Sequence, residues 1–382
     1  MWLRNGENTI KRHRLVKRGL IQSWPTRSHF THVHDLSHIS SARPKSSSAF
    51  ISGLLSQYKE YRGLLRTMPT MSGFVNFNPE KDIPSLRDRV IFVTGGTAGL
   101  GRASVEALAK HEPAHIYFTG RNEQAGESLI AEVKKTNPSV GLTFLKMDMA
   151  SLSAVKKACA QFSHERLDLL MCNAGIMDKP PALSEEGYEI HFAVNHLAHA
   201  MIIQQLLPVM LRTAELPNAD VRLIILTSVG WQFHPKNGIA FDTLQTKQEG
   251  LTILGFQQRY GQSKLANVLY AAEFARRYPS IKAVSAHPGV VATDLVNTLP
   301  PARKAFVYVV NWLMGVSVVD EMKGRMSQLW VAAGAKRDEL VNGAYYMPVG
   351  VMSNDKLNRT AKSEDLARKL WTYTEDVLSK VA

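Results

Sequence analysis

VIFVTGGTAGLGRASVEALAKH, residues 90–111, sets the reading of the whole chain. Its first four residues, Val90, Ile91, Phe92 and Val93, are a β-branched and aromatic run of the kind that makes a buried strand. Glycines follow at 95, 96, 99 and 101, and then Ala103, Ala107 and Leu108 recur on one face of a helix. A strand, a glycine-rich turn and a helix in that order aim the first helical N–H groups at whatever lies above the turn, where the dipole favours an anion. Glycine lets the backbone approach a pyrophosphate with no Cβ in between. The spacing is T-G-x-x-x-G-x-G rather than G-x-G-x-x-G, and a glycine cluster alone also serves as an ordinary helix start. The flanking strand and helix favour a nucleotide site, lined by Thr94, Gly95, Gly96, Thr97, Gly99, Leu100 and Gly101.

Outward from this turn, strand and helix alternate. Strands are predicted over 90–93, 115–119, 142–146, 167–172, 222–227 and 282–286, with helices over 101–111, 123–135, 151–162, 188–211 and 260–278. A helix over 320–333 and a short strand over 344–347 close the series. Such alternation implies an α/β fold with right-handed crossovers: a Rossmann-type, doubly wound parallel sheet in a single domain covering residues 85–382. Ligands then bind at the carboxyl ends of the strands.

Composition narrows the classes. Hydrophobic residues make up 45% of the 382 and charged residues 21%, which is ordinary for a globular chain. Two cysteines, Cys159 and Cys172, suit a reducing compartment, and the 13 histidines show no metal-ligand spacing. The net charge is +13, yet residues 1 to 70 hold 12 Lys and Arg against three acids, leaving only +4 on the other 312 residues. The basicity therefore belongs to this extension, and no nucleic-acid partner is implied. Arg- and Ser-rich and poor in acids, it reads as a mitochondrial transit peptide, a disordered tail or sequence upstream of a start at Met68 or Met71. A cytoplasmic location is expected otherwise.

The strand ends carry the chemistry. Arg121 follows the second strand, where an acidic residue would bind the ribose hydroxyls of NAD. An arginine suits the 2′-phosphate of NADP, so NADP(H) is expected rather than NAD(H). Arg102, beside the glycine turn, supports that phosphate. Asp148, after the third strand, stands to accept from an adenine amino group or to cap the next helix. Asn173, Ala174 and Gly175 form a tight turn after the fourth strand, bringing backbone close to the cofactor. Ser228 ends the fifth strand, and Tyr260 and Lys264 share one face of the following helix at i and i+4.

TGGTAGLG, CNAG, FAVNHLAH, Ser228, YGQSK and HPGVVATDL occur here in the order seen in the short-chain dehydrogenase/reductase family, which the chain resembles from about Arg87 to Met347. The finer pattern (NHLAH, QSKLANVLY, FDTL) is most similar to the retinol-dehydrogenase-like and protochlorophyllide-reductase-like branches. Cys172 departs from the family where many members carry a first Asn.

The resemblance implies an Asn195-Ser228-Tyr260-Lys264 catalytic set. Tyr260 is then the general acid in reduction and base in oxidation, and Lys264 favours its phenolate by charge while holding the nicotinamide ribose. Ser228 orients the substrate oxygen, and Asn195 holds a water linking Lys264 to solvent. His196 and His199 read as packing residues beside it. The resemblance also places Pro288, Gly289, Val291 and Thr293 at the nicotinamide carboxamide and diphosphate.

Between Thr293 and Asp320 the chain is strongly apolar, with Leu295, Val296, Leu299, Phe306, Tyr308, Trp312 and Leu313. This segment reads as a cover for a lipophilic small-molecule substrate, or else as a contact with a membrane surface or a second copy in a homodimer. The function expected is hydride transfer between NADP(H) and a carbonyl or alcohol. Reduction of a carbon–carbon double bond is an alternative. A nucleotide-binding sensor or scaffold without turnover is another, although Tyr260 and Lys264 are both intact.

Overall fold

The computed structural model describes residues 75–251, 255–291, 318–319 and 321–381. The basic extension, Thr293 and most of the apolar stretch after it lie outside the described residues. The strands are β1 (Val90–Val93), β2 (His115–Gly120), β3 (Gly141–Lys146), β4 (Leu169–Cys172), β5 (Arg222–Leu226), β6 (Lys282–Ala286), β7 (Val290–Val291), β8 (Val318–Val319), β9 (Tyr345–Met347) and β10 (Val351–Met352). Eight of them form one sheet in the order β3-β2-β1-β4-β5-β6-β9-β10, and β7 pairs with β8 separately. Within the large sheet only β9 and β10 are antiparallel to each other.

The order reverses at β1, whose neighbours are β2 and β4, so the crevice for a ligand opens above the end of β1. The register brings Val93 level with Phe118 and Met171, and Cys172 level with Ile225. The carboxyl ends of these strands therefore share one edge, from which Thr94, Arg121 and Asn173 follow directly.

The longer helices among the described residues are α1 (Gly99–Ala109), α2 (Glu123–Thr136), α3 (Leu152–Cys159), α4 (Ala198–Ala214), α5 (Gly255–Arg277), α6 (Glu321–Leu329) and α7 (Glu364–Ser379). All four residues of β1 are buried, as a strand covered on both faces requires. Alternate strand residues feed two cores. Phe92, Tyr117, Leu170 and Leu223 pack with α3, α4, α5 and α7, whereas Ile91, Val93, Ile116 and Met171 pack with α1, α2 and α6. Asn122, Ser151 and Ser363 cap α2, α3 and α7, each accepting from a backbone N–H of the first turn. Among the described residues no helix is long and apolar enough to cross a membrane.

The sequence reading, which expected a parallel sheet, lacked the antiparallel edge strand β10 and the β7–β8 pair, and three helical regions also differ from it. The helix predicted over 188–211 is instead a short turn of helix at Ile190–Phe192, a π-helical turn at Ala193–Leu197, and then α4. The helix predicted over 320–333 likewise ends in a π turn at Trp330–Gly334. The C-terminal helix α7 was not anticipated; it lays Trp371 on Tyr270 of α5, ring centres 4.7 Å apart.

Candidate active site

The glycine turn is built by close approach. Gly95 and Gly99 have φ of 65° and 51°, a region that strains any residue with a Cβ. A Cβ on Gly101 would lie 2.1 Å from the Gly95 carbonyl oxygen and 2.5 Å from Asn173 Nδ2, and one on Gly96 would lie 2.7 Å from Phe118 Cβ. The turn is thus folded tightly against the ends of β2 and β4, with Gly95 and Gly99 left half-buried. Ala98, the N-cap of α1, supplies no side-chain hydrogen bond, so the first N–H groups of the helix lack a capping oxygen and face outward for a phosphate. These features fit a dinucleotide, with Thr97 and Leu100 half-buried at its edge.

Thr94 has a different role from the lining expected of it. Its buried Oγ1 accepts from the N–H groups of Asn173 (2.8 Å) and Ala174 (2.9 Å) and bonds His199 Nε2 (2.9 Å). It clamps the end of β1 to the end of β4. Asn173 returns the clamp, donating from Nδ2 to the Thr94 carbonyl at 2.9 Å.

The end of β2 is bonded to the same turn: Gly96 N donates to the Thr119 carbonyl at 2.8 Å, and Gly95 N to Thr119 Oγ1 at 3.3 Å. Gly120 sits so close to Thr97 that a Cβ would come within 2.5 Å of Thr97 Oγ1. Arg121 follows at once, exposed and with no ion-pair partner among the described residues. Arg102 does not join it, contrary to the sequence reading. Its guanidinium pairs with Glu106 at 2.9 Å and with Glu132, across the flank of α1 and α2. Asp148 is exposed and accepts from Ala150 N at 2.9 Å, while Ser151 caps α3.

The π turn places Asn195 in the interior beneath the turn after β4. Its Oδ1 accepts from Ile176 N (2.8 Å), and its Nδ2 donates to the Ile176 carbonyl (3.0 Å) and to Ser263 Oγ (2.9 Å). The amide therefore holds the 173–176 turn against α5. π turns recur at functional sites because the extra residue re-aims a side chain without breaking the helix. A Cβ on Gly175 would lie 3.2 Å from Asn195 Oδ1 and 3.3 Å from Lys264 Nζ, so glycine leaves the space in which these two groups meet.

Ser228, Tyr260 and Lys264 converge at the ends of β5 and α5. Ser228 Oγ accepts from Gly230 N at 3.1 Å and is hydrogen-bonded to the Tyr260 phenol. A Cβ on Gly230 would stand 2.9 Å from Tyr260 Cε1, so the ring packs closely against this backbone. Lys264 Nζ donates to the Leu226 carbonyl at 3.2 Å and lies 5.8 Å from the centre of the Tyr260 ring. Burial pushes the phenol up to about 12, against the opposing pull of the Ser228 hydrogen bond. Burial also brings the Lys264 ammonium down to about 8. The lowered phenol pKa expected from the lysine is thus not what the protein by itself shows: at this separation desolvation is the larger effect.

Pro288 and Gly289 follow β6, with Gly289 at φ 93°. Val291 lies in β7, and Thr293 lies outside the described residues. Two residues bordering this site escaped the sequence reading. Gln328 of α6 donates from Nε2 to Ser104 Oγ (2.7 Å) and Asn173 Oδ1 (3.2 Å), bridging the glycine helix and the β4 turn. His287, buried after β6, has no partner for Nδ1 among the described residues, and burial lowers it to about 3.

A glycine cradle at the switch point of a doubly wound sheet, with a Ser-Tyr-Lys cluster on the same edge, defines a nicotinamide-dependent oxidoreductase. Residues 89–232 match the short chain dehydrogenase family. An uncharacterized oxidoreductase of Schizosaccharomyces pombe is 32% identical, over 85% of this chain and 93% of the relative. A short-chain dehydrogenase/reductase of Aspergillus calidoustus is also 32% identical, over 78% and 96%. Human retinol dehydrogenase 14 is 29% identical over 76% and 86%. Among solved structures, a 3-oxoacyl-[acyl-carrier protein] reductase from Brucella melitensis with bound NAD superposes with a TM-score of 0.54 at 17% identity, covering 74% of this chain and 99% of that one. A metagenomic blue fluorescent protein in complex with NADPH gives 0.52 at 24% identity, over 70% and 98%. The chain belongs to the short-chain dehydrogenase/reductase family and is an NAD(P)-dependent oxidoreductase.

Proposed function

We propose that this enzyme uses NADP(H) to interconvert a carbonyl and an alcohol on a lipophilic substrate. The observation that carries the cofactor preference is Arg121. It stands one residue past Gly120, which packs on Thr97 of the glycine turn, and no acid among the described residues pairs with it. A 2′-phosphate on the adenosine ribose would meet a free guanidinium there, whereas NAD would leave that guanidinium unused.

The nicotinamide, when bound, supplies or accepts the hydride. The chain's own residues then handle the oxygen. In reduction Tyr260 Oη gives its proton to the carbonyl oxygen, and Ser228 Oγ donates a hydrogen bond to the same atom as charge develops on it. The Lys264 ammonium, one turn away on α5, offsets the negative charge left on the phenol. Oxidation runs the same proton the other way.

Support for a lipophilic substrate is the apolar sequence from 295 to 314 and the similarity to proteins named for retinol. A screen of long-chain, isoprenoid and steroidal aldehydes and ketones tests the reading, run with NADPH and with NADH. NADPH oxidation on apolar carbonyls supports it. Turnover only on small polar carbonyls, or equal use of NADH, overturns it.

A further inference from the structure

Glu189 is entirely buried, and nothing in the chemistry above uses it. Its Oε1 meets His191 Nδ1 at 2.8 Å and lies 3.8 Å from Arg259 Nε, and its Oε2 accepts from Phe192 N at 2.8 Å. A carboxylate with no exposure is tolerated only when a charge and hydrogen bonds compensate it, and Arg259, itself 5% exposed, supplies the charge.

Each partner of Glu189 reaches a different segment. His191 Nε2 accepts from Lys179 N at 3.2 Å, which fixes the proton on Nδ1, where it is donated to Glu189. The ring also stands edge-on to Tyr260, centres 6.5 Å apart at 80°. Arg259, immediately before Tyr260 in α5, donates from Nη1 to the Gln248 carbonyl at 3.3 Å. A Cβ on Gly255 would crowd that guanidinium at 3.2 Å. The backbone N–H of Glu189 itself donates to the Leu244 carbonyl at 2.7 Å.

We infer that Glu189 is a positioning residue for the substrate side of the site: through His191 it holds the loop after β4 at Lys179, and through Arg259 it holds the 244–251 loop and the start of α5 beside Tyr260. None of these contacts touches the glycine turn. Loss of Glu189 therefore loosens the carbonyl-binding side and leaves the dinucleotide side intact. The kinetic part of this inference rests on the proposed function, but the structural part does not.

The test compares Glu189→Gln and His191→Phe with wild type, in the full chain, by hydrogen exchange and by kinetics. His191→Phe keeps the Glu189–Arg259 pair and removes both the acceptor for Lys179 N and the donor to Glu189, so it carries the test if Glu189→Gln fails to fold. Amide exchange around residues 176–182 is expected to quicken about tenfold in both variants, the equivalent of one hydrogen bond. Exchange at residues 246–251 quickens in Glu189→Gln only. The KM for the best carbonyl substrate rises by about the same factor in both, while NADPH affinity by fluorescence stays within about twofold. Unchanged exchange at 176–182 in His191→Phe overturns the inference, as does a loss of NADPH affinity that matches the rise in KM. A wild-type protein that turns over no carbonyl would sink the proposed function, and the exchange result would still decide the positioning role.

Discussion

Lys264 Nζ lies 5.8 Å from the centre of the Tyr260 ring, one helical turn further along α5, and the same ammonium hydrogen-bonds the Leu226 carbonyl at the end of β5. The lysine is therefore fixed by the sheet edge, not by the tyrosine, and acts on the phenol through space.

That arrangement gives a pH profile with a definite sign. Burial sets Lys264 at about 8 and Tyr260 at about 12, so on raising the pH the ammonium is lost first, while the phenol still holds the proton it must give. The protonated lysine is the form that steadies the phenolate left by proton transfer. The kcat for reduction should be level below about pH 7 and fall about tenfold per unit above about 8. A kcat that rises steadily with pH from about 7 to 10 would contradict this role.

Arg121→Asp should raise the Kd for NADPH by about ten- to a hundredfold, the scale of charge-assisted hydrogen bonds to one phosphate, and should leave NADH binding equal or better. Fluorescence titration with both cofactors checks it. Equal ratios before and after would remove Arg121 from the phosphate site. Arg102→Ala should leave the same ratio unchanged, because that guanidinium is already taken up by Glu106 and Glu132.

Acid should weaken the fold at a higher pH than carboxylate titration alone would. His196 and His287 are brought down to about 3 by burial and His199 to about 4, so all three are neutral in the folded protein near pH 5. In the unfolded chain they take up protons near 6.5, so the unfolded state binds more protons. Stability is then complete above about 6.5 and lost as the pH falls towards about 4. The urea midpoint should drop clearly between about pH 7.5 and 5, and an unchanged midpoint would show that these rings are hydrated.

Much of this architecture was legible because it is written in local periodicity. The apolar run at 90–93, the glycines after it and the Tyr260-Lys264 spacing each lie within a few residues, and the structure brings them to one edge. The π turn at Ala193–Leu197 was hidden because one extra residue leaves the apolar pattern on either side intact. Gln328 could not be found at all: it reaches Asn173 across 155 residues, and no local pattern records such a contact. Glu189 and Arg259 belong to the same category, two charges whose meaning appears only when folding buries them together. The helix α7, by contrast, carried a readable signal in Leu370, Trp371, Thr374, Val377 and Leu378 behind the Ser363 cap.

The central claim is that the Tyr260 hydroxyl delivers the proton at a site where the cofactor binds independently of it. Tyr260→Phe keeps the ring against Gly230 and removes only the oxygen that Ser228 touches. Measured on the best carbonyl substrate, turnover should fall by about a thousandfold while the NADPH Kd stays within about twofold of wild type. A variant that keeps turnover near the wild-type rate would show that another group supplies the proton.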